Sequence, residues 1–531
     1  PQKSFNPKNI YINAATTPDS TFIYAQNGDL NINGEMSSGY NGLFSSLDKV
    51  ARLFMDALQN EDMVHYLQDY EKELPTITLG VQCGRDNMLA NLLAMNGVTA
   101  NSMNIDLKMD SIDGLNMRGG VYGLKSGELN LDTVRVLTRQ EGHRIRYFAG
   151  VRSTALNPDN VKESYNAALF GNLADDTLST NFVFRDQNEK IGVRIGATTK
   201  LRPRSIDITF KPQAMLLGKK FSFNPDNYLN IGEGFKADAD VMLSSDEGTG
   251  MHLRTLPTEE PGQSANLELW GLDLKSLTSI IPYSPDIAGT LDLDLHFRQD
   301  NEGILLSSDI NAGGLSYEGV YVGNERIEAV YLPKEDNAHY LDLLLMHEEE
   351  EVAHISGNYR ESGNGQGLDG DISLTRFPLE ISKAFLQDAG VSLSGYLNGE
   401  MSAKGEFSKL NTNGRIQFES VDIDAYGFGT SLHMADETVR IIDNKLQFND
   451  FSIYAKGDNP FKINGNVDFT HLSNPAFNLR MNANDYEFIN SGRKKGSMFY
   501  GRLFVDTKAM IGGTLNNMRF YGDVTMLGKS N

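Results

Sequence analysis

Apolar residues recur at every second position along most of the chain. This period-2 pattern places apolar side chains on one face of a β-strand and polar side chains on the other. The runs with this pattern include Leu30, Ile32 and Met36; Ile105, Leu107 and Met109; Leu129 and Leu131; Leu291, Leu293, Leu295 and Phe297; Ile416 and Phe418; Val467 and Phe469; Phe477, Leu479 and Met481; and Val524 and Met526. Many strands of similar length predict an all-β protein in which one sheet keeps growing along the chain.

The turn signals and the length agree with an extended array. Four pairs, Asn27-Gly28, Asp113-Gly114, Asn398-Gly399 and Asn464-Gly465, suit tight hairpins or bulges. A chain of 531 residues is too long for one compact core. We therefore expect one continuous, elongated array of β-repeat segments, with boundaries at 1–150, 151–265, 266–370 and 371–531.

One segment departs from the strand pattern. Apolar residues at three- and four-residue spacing between Phe44 and Leu74 predict one or two amphipathic helices inserted near 43–74 and ended by Pro75. A second, shorter helix is predicted over residues 381–387. We expect these helices to cap an edge or face of the sheet, because acidic residues on the polar face of the long helix disfavour a membrane-surface role.

Two parts of the chain resemble each other. Residues 267–274, a short apolar stretch and residues 287–291 match residues 372–379, a similar stretch and residues 393–397. Each copy is interpreted as a strand, a short helix and a glycine-containing strand pair. Units that bury their faces against neighbours form a stacked array.

Composition narrows the function. Asp and Glu number 70 against 48 Lys and Arg, and the net charge of -22 disfavours nucleic acid as a partner. The single cysteine, Cys83, excludes an internal disulfide and is interpreted as a small residue in a strand. No phosphate loop, nucleophile elbow or paired-cysteine site is present, so we expect no enzyme, no cofactor and no metal.

A few clusters have alternative interpretations. Two histidines, His347 and His354, flank four glutamates and could ligate a metal on a helix, but the flanking apolar runs favour an acidic hairpin turn. The aspartates Asp106, Asp110 and Asp113 favour an ordinary turn over a calcium loop. Two basic clusters, at 202–204 and 493–495, are interpreted as loops rather than anion sites. A glycosidase would need a defined carboxylate pair, which nothing singles out, and the lone Trp270 disfavours a sugar platform.

The C-terminal part resembles a known family. Glycine followed by alternating apolar residues recurs in 405–407 and 414–418, 461–469 with 474–479, 499–506 and 513–524, and the run 223–228 is also similar. This series resembles TamB-like proteins of the AsmA-like group, in the form found in Bacteroidota, and is clearest over 371–531. The chain departs from the family at Asn517-Met518, where Asn-Pro is common.

The resemblance implies a fold and a function. Such proteins are anchored in the inner membrane by an N-terminal helix, which we expect to lie outside this sequence, and they cross the periplasm. They form a long curved sheet, folded like a taco, with an apolar inner face. They are linked to phospholipid movement towards the outer membrane, and to assembly of outer-membrane proteins with a barrel of the BamA/TamA type.

Two functions follow as expectations. The first is an apolar groove that conducts phospholipids by contact with their acyl chains. The second is a scaffold or chaperone whose strand edges pair with outer-membrane client proteins. A packed core closed by a second sheet is the structural alternative to an open groove. The candidate groove residues are Leu291, Leu293, Leu295, Phe297, Ile416, Phe418, Val467, Phe469, Leu479 and Met481.

Overall fold

The chain folds into two compact units. The computed structural model describes residues 8–59, 72–127, 129–155, 163–174, 177–202, 204–258, 262–282, 284–301, 303–334, 338–360, 367–386, 390–406, 409–425, 430–491 and 501–530. The first unit comprises residues 1–255 and 276–284, and the second comprises 256–275 and 285–531.

The first unit is built from short and medium-length strands. These are β1 (Ile10–Thr16), β2 (Thr21–Asn27), β3 (Leu30–Met36), β4 (Ile77–Cys83), β5 (Val98–Thr99), β6 (Ser102–Asp110), β7 (Gly114–Ser126), β8 (Leu129–Glu141), β9 (Arg144–Ser153), β10 (Tyr165–Ala174), β11 (Thr177–Asp186), β12 (Ile191–Leu201), β13 (Ser205–Phe210), β14 (Gln213–Leu216), β15 (Lys219–Phe223), β16 (Tyr228–Gly232), β17 (Ala237–Ser244) and β18 (Gly250–Leu256).

The second unit contains the longer strands. These are β19 (Gln263–Asp273), β20 (Ile287–Asp300), β21 (Gly303–Tyr317), β22 (Val320–Lys334), β23 (Ala338–His347), β24 (Glu350–Arg360), β25 (Gly367–Pro378), β26 (Val391–Gly405), β27 (Asn411–Ala425), β28 (Thr430–Met434), β29 (Thr438–Ile442), β30 (Lys445–Tyr454), β31 (Phe461–Asp468), β32 (Ala476–Ser491), β33 (Gly501–Thr514) and β34 (Asn517–Met526).

Helices are few and short. In the part of the chain that the structure describes, the helices with defined bounds are α1 (Tyr40–Gln59), α2 (Met88–Met95), α3 (Leu274–Ile280), α4 (Lys383–Leu386) and the 3-10 turns Glu233–Phe235 and Leu379–Ser382. Strands account for 71% of the chain and helices for 9%, which confirms the predicted all-β class. None of the helices in the described ranges is long and apolar enough to cross a bilayer.

Within each unit the strands pair antiparallel, mostly in chain order. The sheet therefore grows strand by strand, as the regular period-2 runs predict. Two long strands each pair with two shorter ones: β12 with β13 and β14, and β27 with β28 and β29. The two branches then meet at one strand. Strands β15 and β16 both pair with β17, and β28 and β29 both pair with β30, so the sheet continues past each division.

A line of β-bulges runs through the second unit. Strands β19, β21, β25, β30 and β32 each lose register with the following strand around one residue that has positive φ. Strand β27 loses register with the preceding strand, β26, beside Ser420, which also has positive φ. In each case the backbone N–H of the positive-φ residue donates to an Asp or Asn side-chain oxygen that follows along the chain. The pairs are Gly271 with Asp292, Gly314 with Asn324, Arg376 with Asn398, Ser420 with Asp436, Asp450 with Asn464, and Asp485 with Asp506. Because a bulge bends its strand, this repeated device bends the sheet.

The bulges explain the sequence repeat. Gly271 in β19 has φ 61 and Arg376 in β25 has φ 46, at matching positions in the two copies. Each copy continues through a short helical segment into a strand with a positive-φ glycine, Gly289 or Gly395. The Asn398-Gly399 and Asn464-Gly465 pairs therefore lie opposite bulges rather than at hairpin tips, which is one of the two settings predicted for them.

Helix α1 confirms the first part of the predicted helical insertion, and residues 60–71 lie outside the described part of the chain. The predicted helix at 381–387 is a 3-10 turn followed by α4, with Gln387 outside the described residues. Helix α2 was not predicted. It begins after Asn87, whose side chain accepts from the N–H of Ala90, the usual N-cap arrangement.

The other turn predictions are confirmed. Residues Glu348 and Glu349 form the turn between β23 and β24, both with positive φ, so the acidic cluster is a hairpin tip and not a helix. The Asp110 carboxylate accepts from the N–H groups of Ile112 and Asp113 in the turn between β6 and β7. Cys83 is buried as the last residue of β4.

Candidate functional site: an apolar sheet face

The structure places nine of the ten candidate groove residues in strands. Phe469 alone lies past the end of its strand, where its N–H donates to the carbonyl oxygen of Asn444. All ten side chains are half-buried: none is fully covered and none is fully exposed. The strand positions are Leu291, Leu293, Leu295 and Phe297 in β20; Ile416 and Phe418 in β27; Val467 in β31; and Leu479 and Met481 in β32.

The strand register puts these candidates on one face. Residues directly opposite each other on paired strands point to the same side of the sheet. Starting from Leu295, the opposed residues form one row across the second unit. In strand order the row is Leu295, Ser308, Ala329, Leu343, Ile355, Ile372, Met401, Gly414, Ile441, Leu446, Val467 and Phe477. We call the side that carries this row the apolar face of the second unit.

The neighbouring row, on the other side of the same strands, is polar. It consists of Asp294, Asp309, Glu328, Leu344, His354, Ser373, Glu400, Arg415, Arg440, Gln447, Asn466 and Asn478. Only Leu344 interrupts it. The two sides of the sheet therefore differ in chemistry, because apolar and polar residues alternate along the strands.

Among the residues that the structure describes, no second layer closes over the apolar face. In the Leu295 row every residue except Ile441 keeps part of its surface in contact with solvent. A closed sandwich would bury such positions, as Tyr486 is buried with Ala483 and Val505 in a local cluster of β32 and β33. Removing apolar surface from water is favourable by roughly 25 cal/mol per Å². Binding of an apolar molecule over this face would therefore lower the free energy.

The first unit has a comparable apolar row, which the list of candidates from the sequence does not include. Its opposed residues are Ile12, Ala25, Ile32, Val81, Ile105, Gly119, Val136, Ala149, Leu169, Phe182 and Ile195. None is buried, and Ile105 is 43%, Leu169 41% and Phe182 38% exposed. We call this side the apolar face of the first unit.

The sequence carries only part of the signal for this second face. Ile32 and Ile105 belong to period-2 runs, but Ala25, Gly119 and Ala149 are too small to stand out in such a pattern. Only the register between strands connects them into one row.

Helix α1 lies against one end of the first unit's apolar face. Its Val50 packs in a cluster with Leu74 and Met109, together with Ile77, Leu115, Ile145 and Leu173. This contact agrees with the expected capping role. The rest of the face, including Ile105 and Leu169, remains open.

Polar side chains on the described strands form local pairs. Histidine and carboxylate side chains pair across strands, with His347 Nδ1 2.6 Å from Glu325 Oε1 and His354 Nε2 3.1 Å from Asp342 Oδ1. Within the described ranges, no group of three or more His, Cys, Asp or Glu side chains is placed to hold a metal ion. Of the predicted basic loops, Arg202 pairs with Asp207 and Arg204 with Glu233, whereas Pro203 and residues 493–495 lie outside the described part.

Comparison of the chain with protein-family models, with curated proteins and with solved structures found no match.

Proposed function

We propose that the chain is part of a TamB-like envelope protein that conducts phospholipids between the inner and outer membranes. The observation that carries the proposal is the uncovered apolar row from Leu295 to Phe477, backed by a polar row on the other side of the same strands. The resemblance of residues 371–531 to TamB-like repeats points in the same direction. In this proposal the protein spans the periplasm, is anchored in the inner membrane by a segment outside this sequence, and works with a BamA/TamA-type barrel.

The physical basis is the transfer of acyl chains. Exposing a lipid tail to water costs about 0.8 kcal/mol per methylene, which makes unassisted passage between membranes slow. A continuous apolar strip lets the tail slide along protein, while the headgroup stays in solvent. Side chains such as Leu293, Ile355 and Ile416 act collectively, because each offers a similar apolar contact.

The test is mass spectrometry of lipids that co-purify with the protein. The altered protein carries Leu293→Asp and Phe418→Asp, which place two charges on the apolar face. The matched control carries His296→Asp and Gln417→Asp, at exposed positions on the opposite side of the same strands. We expect phospholipid on the wild type and the control, and its loss from the Leu293→Asp and Phe418→Asp protein, with unchanged circular dichroism.

The rival function gives a different result. A scaffold for outer-membrane protein assembly would use strand edges, so the wild type would fold without stoichiometric phospholipid. That outcome, or equal lipid loss from both double variants, would reject the conduit.

A further inference from the structure

The first unit carries a basic surface on the side of β8–β12 opposite to its apolar face. By register, Arg135, Arg139, Arg146, Arg152, Arg185 and Arg194 all point to this side. The single acidic side chain on this side of β8–β12, within the described residues, is Glu141 at the end of β8. Such a surface is unexpected in a chain with a net charge of -22.

The basic side chains nearest the centre of this surface are not neutralised. Glu141 contacts Arg139 at 3.5 Å and Arg146 at 3.1 Å, which occupies its carboxylate at one end. Arg135, Arg152 and Arg194 are exposed and form no ion pair or side-chain hydrogen bond with the rest of the described chain. A guanidinium has five N–H donors in a planar fork that matches phosphate and carboxylate oxygens.

These arginines surround an apolar depression. One row of opposed residues runs Arg135, Gly150, Ala168, Val183 and Arg194, so a small-residue floor has an arginine at each end. The adjacent row places Asn166 between Arg152 and Arg185. Because neighbouring strands lie about 4.8 Å apart, the Cα atoms of Arg152 and Arg185 are roughly 10 Å from each other.

The depression has the size of a small-molecule site. It has a volume of about 590 Å³ and is lined by Phe148, Phe170, Ala168 and Val183, with Arg185 and Arg194 at its rim. A second depression of about 230 Å³ adjoins it at Phe148 and Asn166 and is lined by Arg135 and Arg152. We call the two together the arginine pocket. Sites for small ligands commonly have about 300–1,000 Å³, an apolar lining and a few placed polar groups.

Gly150 gives the Phe148 ring its place beside the pocket. The Phe148 ring lies over this glycine, so a Cβ at position 150 would be 2.6 Å from Phe148 Cζ. Ala168 on the next strand leaves room for an apolar group beside the Phe148 and Phe170 rings. The arginines lie within reach at both ends of the row.

We propose that the arginine pocket binds an anionic amphiphile, in which a phosphate or carboxylate is joined to an apolar group. The anion contacts Arg185 and Arg194, and the apolar group lies on Ala168 and Val183. This inference does not depend on the proposed conduit, because the pocket and the apolar face lie on opposite sides of the same strands.

Isothermal titration calorimetry of the full chain tests the proposal with octyl phosphate as the probe. Octyltrimethylammonium has the same alkyl chain with the opposite charge, and inorganic phosphate has the anion without the chain. The charge variant is Arg185→Gln with Arg194→Gln, and the matched control is Arg144→Gln, on the same side of β9 but outside the pocket. Ala168→Leu fills the floor without changing the charge.

We expect octyl phosphate to bind the wild type and the Arg144→Gln control with equal affinity. Its affinity for the double arginine variant and for Ala168→Leu should be lower by about tenfold or more. Inorganic phosphate should bind more weakly than octyl phosphate, and octyltrimethylammonium should not bind at this site. Phenyl phosphate distinguishes the source: tighter binding than octyl phosphate assigns the pocket to a soluble aromatic anion, and weaker binding assigns it to a lipid.

Three results would overturn the proposal. Equal binding of octyltrimethylammonium would show that the arginines only cover the apolar floor with their alkyl stems. Equal loss in Arg144→Gln would show that the basic surface as a whole attracts the anion. Binding to phosphatidylglycerol vesicles without binding of monomeric octyl phosphate would make this surface a membrane contact. Ile105→Asp, on the apolar face, separates the two proposals, because it should reduce co-purified lipid and leave octyl phosphate binding unchanged.

Discussion

The backbone N–H of Asp450 donates to Asn464 Oδ1 at 2.8 Å, and Asn464 Nδ2 donates to Asp450 Oδ1 at 2.9 Å. Asp450 has φ 54 and is the bulged residue of β30, whereas Asn464 lies inside the next strand. The same type of contact holds every bulge in the line from Gly271 to Asp485. A side-chain oxygen of Asn or Asp thus fixes where the neighbouring strand bends.

We predict that Asn464→Ala lowers the free energy of unfolding by about 1–2 kcal/mol, because the N–H of Asp450 loses its acceptor. The midpoint of urea denaturation measures the change. Asn466→Ala is the control, since Asn466 is half-buried in the same strand and has no side-chain hydrogen bond to the described residues. Equal midpoints for the two variants would show that the bulge does not need this contact.

A second prediction concerns the two sides of β22. With Cys83→Ser as the background, single cysteines replace Ile327 on the apolar face or Glu328 on the polar face, and each carries a polarity-sensitive dye. Added lysophospholipid should shift the emission of the dye at 327 to the blue and leave the dye at 328 unchanged. Equal shifts at both positions would contradict one-sided lipid contact.

A third prediction concerns acid stability. Arg326 donates to both carboxylate oxygens of Asp309, at 3.0 and 2.7 Å, and these hydrogen bonds lower the pKa of Asp309. A lowered pKa in the folded state stabilises the protein above the unfolded pKa of about 3.9, and this stabilisation is lost as the pH falls through the folded value. Both side chains are partly exposed, so solvent screening keeps the contribution of the pair small.

Asp309→Asn should therefore be less stable than the wild type at neutral pH, and the difference should shrink below about pH 4. Urea denaturation at several pH values measures it. A difference that stays constant into acid would assign the loss to packing instead of to the ion pair.

A fourth prediction concerns alkaline pH. Burial raises the pKa of Tyr486 to about 12, in the cluster where its ring lies 5.6 Å from that of Phe461. Between roughly pH 10 and 12 the unfolded chain has lost the tyrosine proton while the folded chain keeps it, so stability falls as the pH rises. Tyr486→Phe should lose less stability than the wild type between pH 9 and 11, measured by urea denaturation. Equal losses would show that Tyr486 ionises without cost.

Some of the fold can be predicted from local signals. Alternation in β20 identifies Leu291 to Phe297 as one face, and the helical spacing after Phe44 identifies α1. The bulges follow less directly. Gly271 is a plain candidate for positive φ, but Arg376 occupies the matching position only because Asn398 holds its N–H and the neighbouring strands fix the backbone.

The apolar faces and the arginine pocket differ in how well the sequence predicts them. The apolar face of the second unit was predicted because its residues are large and alternate. The first unit's face depends on Ala25, Gly119 and Ala149, whose small side chains give no clear signal. The arginine pocket gives none either, since Arg135 and Arg194 are far apart in sequence and each alone is an ordinary surface residue.

Local pattern and composition are enough to predict the all-β class, the alternation within each strand and the sign of the net charge. Those properties depend on neighbouring residues along one strand or on composition. The pairing of the strands is needed to know which faces join into one row, which side chains surround a pocket, and which apolar positions stay uncovered. The physical reason is that side-chain direction repeats every two residues, so a shift of one residue in register, or one bulge, moves a strand's whole set of side chains to the other side of the sheet.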